Sequence, residues 1–158
     1  MTSITNEEKI RNNHELYEIE SWEDEKLDLN NNVLRGIYSF GFEKPSSIQK
    51  KALYPMTKNI HNGRRRDITA QAQSGTGKTG AFVIGSLNIL VKDVKGPQVL
   101  ILAPTHELAD QTLNVVENLS RYIKDVNPTL LVGGTSVDKN KKILNTKNPK
   151  IVVGTPGR

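Results

Sequence analysis

Cysteine is absent from the 158 residues. That excludes disulfides and thiolate metal sites, and it makes an intracellular protein the expectation. Aromatic residues are scarce, at 5% of the chain with Trp22 as the single tryptophan. Long apolar runs are missing as well: nothing approaches the roughly 20 residues of a membrane span. The opening Met1-Thr2-Ser3-Ile4-Thr5-Asn6 lacks the pattern of a secretory signal. Acids are sparse beyond position 30. Residues 1–30 hold nine acids and three bases, while the remainder holds nineteen bases and eight acids, so a net charge of +5 conceals a body of +11. Such a body suits a polyanionic partner such as nucleic acid, although a solvated lysine-rich surface would give the same count. The length allows one domain with a proper core.

What is present centres on Ala72-Gln73-Ser74-Gly75-Thr76-Gly77-Lys78-Thr79. A short run, Asp67 to Gln71, reads as a strand before it, and Gly80 to Val91 reads as a helix after it. Strand, glycine-bearing loop and helix form the phosphate cradle of a P-loop protein, here with Ala72 in place of the first glycine. Gly75 and Gly77 let the backbone turn and approach a ligand, and the free N–H groups of the helix start point at phosphates. Lys78 would reach the β- and γ-phosphates, and the Thr79 hydroxyl would bind Mg²⁺. The plainer reading is a glycine-rich turn with a surface lysine.

Residues 1–20 are polar and acidic and read as a flexible arm. Trp22 then docks onto the core. Asn30-Asn31-Asn32 caps a helix whose apolar face is Val33, Leu34, Ile37 and Tyr38, ending at Gly41. A second helix runs from about Ser46 to Tyr54, before Pro55, with Ser46 and Gln49 at capping-box spacing. Asn59 to Arg66 is a loop ending in a basic triplet. Gln98 to Ala103 reads as a strand buried on both faces, followed by a helix capped by Thr105. Thr129 to Val132 is a third strand, about Val137 to Leu144 a short basic helix, and Lys150 to Val153 a fourth strand. This alternation predicts an α/β fold with a parallel sheet and helices on both faces.

Ligands of open α/β sheets sit beyond the carboxyl ends of the strands. Pro104-Thr105-His106-Glu107-Leu108-Ala109, Gly133-Gly134-Thr135 and Thr155-Pro156-Gly157-Arg158 fall there. They read plainly as a helix start, a turn and a type II β-turn. They also form a row of donors suited to a single-stranded phosphate backbone.

Together these residues resemble the DEAD-box RNA helicases. Gly41-Phe42-Glu43-Lys44-Pro45-Ser46-Ser47-Ile48-Gln49 resembles their Q motif, Ala72 to Thr79 motif I, Pro104 to Ala109 motif Ia, Gly133-Gly134 the GG motif, and Thr155 to Arg158 motif Ib. Five motifs in order span residues 41–158. Arg35-Gly36-Ile37-Tyr38 and Ile151-Val152-Val153-Gly154 are most similar to the translation initiation factor 4A branch, and Leu108 to Leu113 to the mRNA-export branch.

The resemblance implies a RecA-like P-loop domain over residues 21–158, with an acidic arm at 1–20. It implies that Gln49 bonds the adenine edge, Phe42 stacks on it, and Lys44 and Trp22 lie beside it. Pro104, Thr105, His106, Gly133, Gly134, Thr155, Pro156, Gly157 and Arg158 would contact RNA. The activity implied is ATP hydrolysis with Mg²⁺ coupled to local unwinding of RNA, by a cytoplasmic monomer working with a scaffold translation factor. Two departures carry consequences. His106 stands where the family has arginine, which makes that phosphate contact weaker or pH-dependent. The sequence also contains no strand ending in Asp-Glu-Ala-Asp, so the domain is expected to be incomplete and these 158 residues inactive alone. The rival classes are a nucleotide kinase, which leaves motifs Ia, GG and Ib without a role, and a non-catalytic RNA-binding module.

Overall fold

The computed structural model describes residues 17–58, 60–61, 64–65 and 67–158. Three parallel strands make the sheet: β3 (Val99–Leu102), β4 (Thr129–Leu131) and β5 (Ile151–Gly154), in the order β3-β5-β4. Val99 faces Ile151, and Thr129 faces Val152. Two further strands, β1 (Ile60–His61) and β2 (Arg64–Arg65), pair antiparallel in a separate hairpin. The stretch expected to be a loop is therefore partly paired; Asn59, Asn62, Gly63 and Arg66 lie outside the described residues.

Among the described residues five helices surround the sheet: α1 (Asn31–Ser39), α2 (Ser47–Lys58), α3 (Lys78–Asn88), α4 (His106–Leu119) and α5 (Val137–Lys147). The crossover from β3 to β4 skips one position outward, and that from β4 to β5 steps back. With right-handed connections, opposite steps put α4 and α5 on opposite faces. Helices α1 and α3 pack with α4, and α2 packs on α3. This side holds the main core, built from Ile37, Leu53, Val83, Ile84, Val116, Leu119, Ile151 and Val153. Helix α5 buries only Asn140. Among the described residues no helix is long and apolar enough to cross a membrane.

Local chemistry explains most boundaries. Asn30 caps α1 by accepting from Asn32 N at 2.9 Å, and Gly41, at φ 91°, carries the chain out of it. Tyr38 leaves the expected apolar face: it is exposed, and its hydroxyl donates to Glu23. Helix α2 does not stop before Pro55 but runs through it to Lys58. The proline forfeits one backbone bond, yet Ala52, Leu53 and Thr57 are buried and hold the last turn on the core. Only half of the capping box forms, with Ser46 N donating to Gln49 Oε1 at 2.8 Å while Ser46 Oγ is buried without a partner.

Three expectations are corrected at the sheet and the amino end. Asp67 to Gln71 is exposed and irregular, not a strand. A strand exists only by its ladder, and no described segment pairs with this one. Strand β3 is an edge strand, with Leu100 and Leu102 exposed at 64% and 57%; β5, buried along its whole length, is the central one. The arm does not extend to residue 20. Ile19 is fully buried and its N–H donates to Lys50 O at 3.1 Å, so the chain is packed from Tyr17 onward, and residues 1–16 lie outside the described residues.

Candidate nucleotide and RNA site

The loop Ala72 to Gly77 reverses through two left-handed glycines, Gly75 at φ 78° and Gly77 at φ 92°. Both angles strain any residue bearing a Cβ, so the turn depends on glycine. Thr76 Oγ1 closes it by donating to Gln73 O at 2.7 Å. Helix α3 then begins at Lys78 with Gly77 as its N-cap, and no side chain caps it. Its first N–H groups are thus left for an anion, and its first turn contains no acid to compete. Lys78 Nζ folds back into the loop, donating to the carbonyls of Ala72 and, at 2.6 Å, of Gln73. An ammonium held among loop carbonyls beside uncapped amides fits a polyphosphate chemically.

The Q-motif residues sit directly on this loop. Gln49 Nε2 donates to Gly77 O at 3.2 Å. A Cβ on Gly80 would lie 2.8 Å from Gln49 Nε2 and 2.9 Å from Phe42 Cε2, so the glycine admits both side chains against α3. Gly80 was not singled out from the sequence. Its signal was a glycine inside a predicted helix, where it costs about 1 kcal/mol relative to alanine. Phe42 is half-buried and held edge-on by Phe40, with ring centroids 4.8 Å apart. Trp22 is 1% exposed and lies behind Phe42 at 6.5 Å, with its indole N–H donating to Phe42 O at 2.9 Å. It braces the phenylalanine from below. Lys44 is exposed on the same segment.

The three loops at the carboxyl ends of the strands are also tied together. Thr105 caps α4, its hydroxyl oxygen accepting from Leu108 N at 3.2 Å, and Pro104 precedes it, exposed. His106 opens α4 and lies against the next loop, where a Cβ on Gly133 would come within 3.2 Å of its Nε2. Gly134 turns the chain at φ 84°. Arg158 Nη2 donates to Thr135 O at 2.6 Å, joining the last loop to the middle one, and Thr155 N donates to Leu131 O at the end of β4 at 3.2 Å. The Thr155–Arg158 turn closes through Arg158 N to Thr155 O at 3.0 Å. It is not type II, because Gly157 is not in the left-handed region that its third position requires. Pro156 presets the second position of either turn type, and glycine permits the left-handed region without compelling it.

The start of α3 and the first strand-end loop share one cleft. Lys78 and Thr79 line a depression of about 750 Å³ whose wall also includes Ala103, Pro104 and Leu108. The first turn of α3 and the first of the three strand-end loops therefore face a common space.

A family model described as DEAD/DEAH box helicase matches residues 46–158. The chain belongs to this family. It is 46% identical to an ATP-dependent RNA helicase eIF4A of Aspergillus fumigatus over 132 residues, which cover 84% of this chain and 30% of that protein. It is 46% identical to eukaryotic initiation factor 4A of Drosophila melanogaster over 145 residues, 92% of this chain and 33% of that one. Among solved structures, a DEAD box protein from Methanococcus jannaschii superposes with a TM-score of 0.77 at 36% identity, covering 89% of this chain and 36% of its own. Saccharomyces cerevisiae Dbp5 bound to RNA and ADP BeF3 gives 0.73 at 40% identity, covering 88% and 32%. The chain thus spans about a third of the length of these relatives. The parallel sheet and its helices are part of the RecA-like domain of this family.

Proposed function

We propose that this chain is the nucleotide- and RNA-gripping part of an ATP-dependent RNA helicase that works in translation initiation. The observation that carries the reading is the uncapped start of α3 at Lys78 and Thr79, reached through two left-handed glycines, which shares a cleft with Pro104 of the first strand-end loop. In this reading Gln49 and Phe42 select adenine, with Lys44 at the pocket edge and Trp22 holding Phe42 in place. The amides of Gly75 to Thr79, with the side chains of Gln73, Ser74 and Thr76 around them, cradle the phosphates. Lys78 supplies a positive charge that can leave the carbonyls of Ala72 and Gln73, and Thr79 offers its hydroxyl to Mg²⁺.

Among the described residues no group of three histidine or carboxylate side chains could hold a metal alone. The ion would arrive with the triphosphate, whose hydrolysis supplies the driving force. The RNA strand runs over Thr105, His106, Gly133, Gly134, Thr155 and Gly157, without base readout. Arg158 holds the middle loop in place for that contact. The names of the eIF4A relatives support translation initiation; a cytoplasmic location and a scaffold translation factor as partner are part of the same proposal.

The test uses the complete protein that carries this chain. ATP hydrolysis should rise severalfold with single-stranded RNA of any sequence, and Lys78→Ala should abolish it. Turnover that persists in Lys78→Ala, or that ignores RNA, rejects the proposal.

A further inference from the structure

A second depression, of about 500 Å³, lies at the amino ends of β3 and β5, opposite the strand-end loops. Its wall includes Arg35, Leu87, Lys92, Tyr122, Lys124 and Lys150. The segment after α3 that forms one side is firmly anchored. Lys150 is 5% exposed, and its Nζ donates to the carbonyls of Val91 at 2.8 Å, Lys92 at 2.6 Å and Val94 at 3.1 Å. Gln98 brackets the same segment, accepting from Val91 N at 2.8 Å and donating to Val91 O at 2.7 Å. A surface held this way from beneath is preorganised for a ligand.

The charges around the depression have one sign. The Arg35 guanidinium lies 4.4 Å from the centre of the Tyr122 ring, and the Tyr122 hydroxyl is hydrogen-bonded to Ser39 Oγ at 2.9 Å. Lys92 and Lys124 are exposed, and neither takes part in an ion pair among the described residues. Among the described residues no Asp or Glu lines the depression; Asp93 and Asp125 are adjacent in sequence but outside the wall. Asn30, the N-cap of α1, lies in the wall, so the positive end of that helix dipole adds to the field. Apolar groups are interleaved with the charges, and among them Val91 is 56% exposed.

We propose that this depression docks a short acidic peptide segment, bearing apolar side chains, from a partner protein. Three features favour a peptide. The basic groups stand on α1, on the segment after α3 and on the segment after α4, spaced around a volume far larger than one phosphate. The exposed Val91 offers contact that a nucleic-acid backbone would leave unused. Tyr122, the one aromatic in the wall among the described residues, carries Arg35 over its ring, so a base would have to displace the guanidinium to stack on that face. Because the site is at the far end of the strands, its occupant leaves the nucleotide and RNA loops free.

The test is fluorescence anisotropy on the complete protein, with a labelled short peptide of mixed Glu, Asp and Leu. Wild type should bind it, and Lys92→Glu/Lys124→Glu should weaken binding at least about tenfold, as charge reversal in a complementary interface does. The same variant should keep wild-type ADP affinity. The milder Lys92→Gln/Lys124→Gln should fall between, and Val91→Ser should weaken binding severalfold with all charges intact. Undiminished binding by the charge variants overturns the proposal. So does displacement of the peptide by single-stranded RNA or by inorganic phosphate.

Discussion

Gln49 joins the start of α2 to the glycine loop before α3, the two segments proposed to hold adenine and phosphate: its amide donates to Gly77 O at 3.2 Å and accepts from Ser46 N at 2.8 Å. One side chain therefore fixes the start of α2 and the N-cap of α3 together. Gln49→Ala removes both part-buried bonds, at about 1–2 kcal/mol. Thermal melting should fall by several degrees, and ADP affinity should fall about tenfold while inorganic phosphate affinity holds. Equal losses for ADP and phosphate would show that Gln49 acts only on the fold.

Helices α1 and α4 meet backbone to backbone at Gly36. A Cβ there would stand 2.0 Å from Leu119 O, and a backbone carbonyl cannot swing aside as a side-chain end can. Overpacking costs about 1–3 kcal/mol, against about 1 kcal/mol gained by alanine over glycine in a helix. With only backbone to yield, Gly36→Ala should lose about 2 kcal/mol or more in urea denaturation. A neutral substitution would mean the helices are not in contact at this point.

The segment from Tyr17 to Leu27 is fastened by Asp24, which accepts from Tyr17 Oη at 2.8 Å and from Lys26 N at 3.0 Å. Burial pushes the Asp24 carboxyl up, but the Tyr17 hydroxyl and the backbone N–H groups together outweigh it and hold it below the ordinary value. A carboxyl depressed in the folded state stabilises fully above its unfolded value, and that stabilisation is lost as pH falls through the folded value. Tyr17, raised chiefly by its bond to Asp24, stabilises fully below its unfolded value and loses that contribution as pH climbs through the folded one. Trp22 is the only tryptophan, so its emission reports on this segment. On acidification it should shift to the red below the ordinary carboxylate range, and Asp24→Asn should remove that step.

His106 stands where an arginine would carry a permanent charge and a bidentate fork. His106→Arg should raise affinity for single-stranded RNA about tenfold at low salt. The slope of log affinity against log salt should steepen by about 0.7, the increment for one added phosphate contact on a single strand. An unchanged slope would place position 106 away from the RNA path.

The sequence made the alternation of strands and helices legible because buried apolar runs and caps such as Asn30 and Thr105 act locally. The motif residues were legible because glycine, lysine and threonine at fixed spacing have few other uses. What escaped was decided by distant neighbours. Whether Asp67 to Gln71 becomes a strand depends on a ladder partner, and whether Leu100 and Leu102 are covered depends on what lies beside β3. The placement of Ile19 in the core depends on Lys50, and Pro55 stays helical because Leu53 and Thr57 are buried. Gly80 matters only once α2 and the glycine loop before α3 are known to touch.

The central claim is that the uncapped amides at the start of α3 hold the phosphates. Backbone amide resonances of the protein, followed by NMR while ADP and then adenosine are added with Mg²⁺, test it most directly. Gly75, Gly77, Lys78 and Thr79 should shift with ADP and stay in place with adenosine, while residues around Phe42 and Gln49 respond to both. ADP binding that leaves those four amides unmoved would contradict the account.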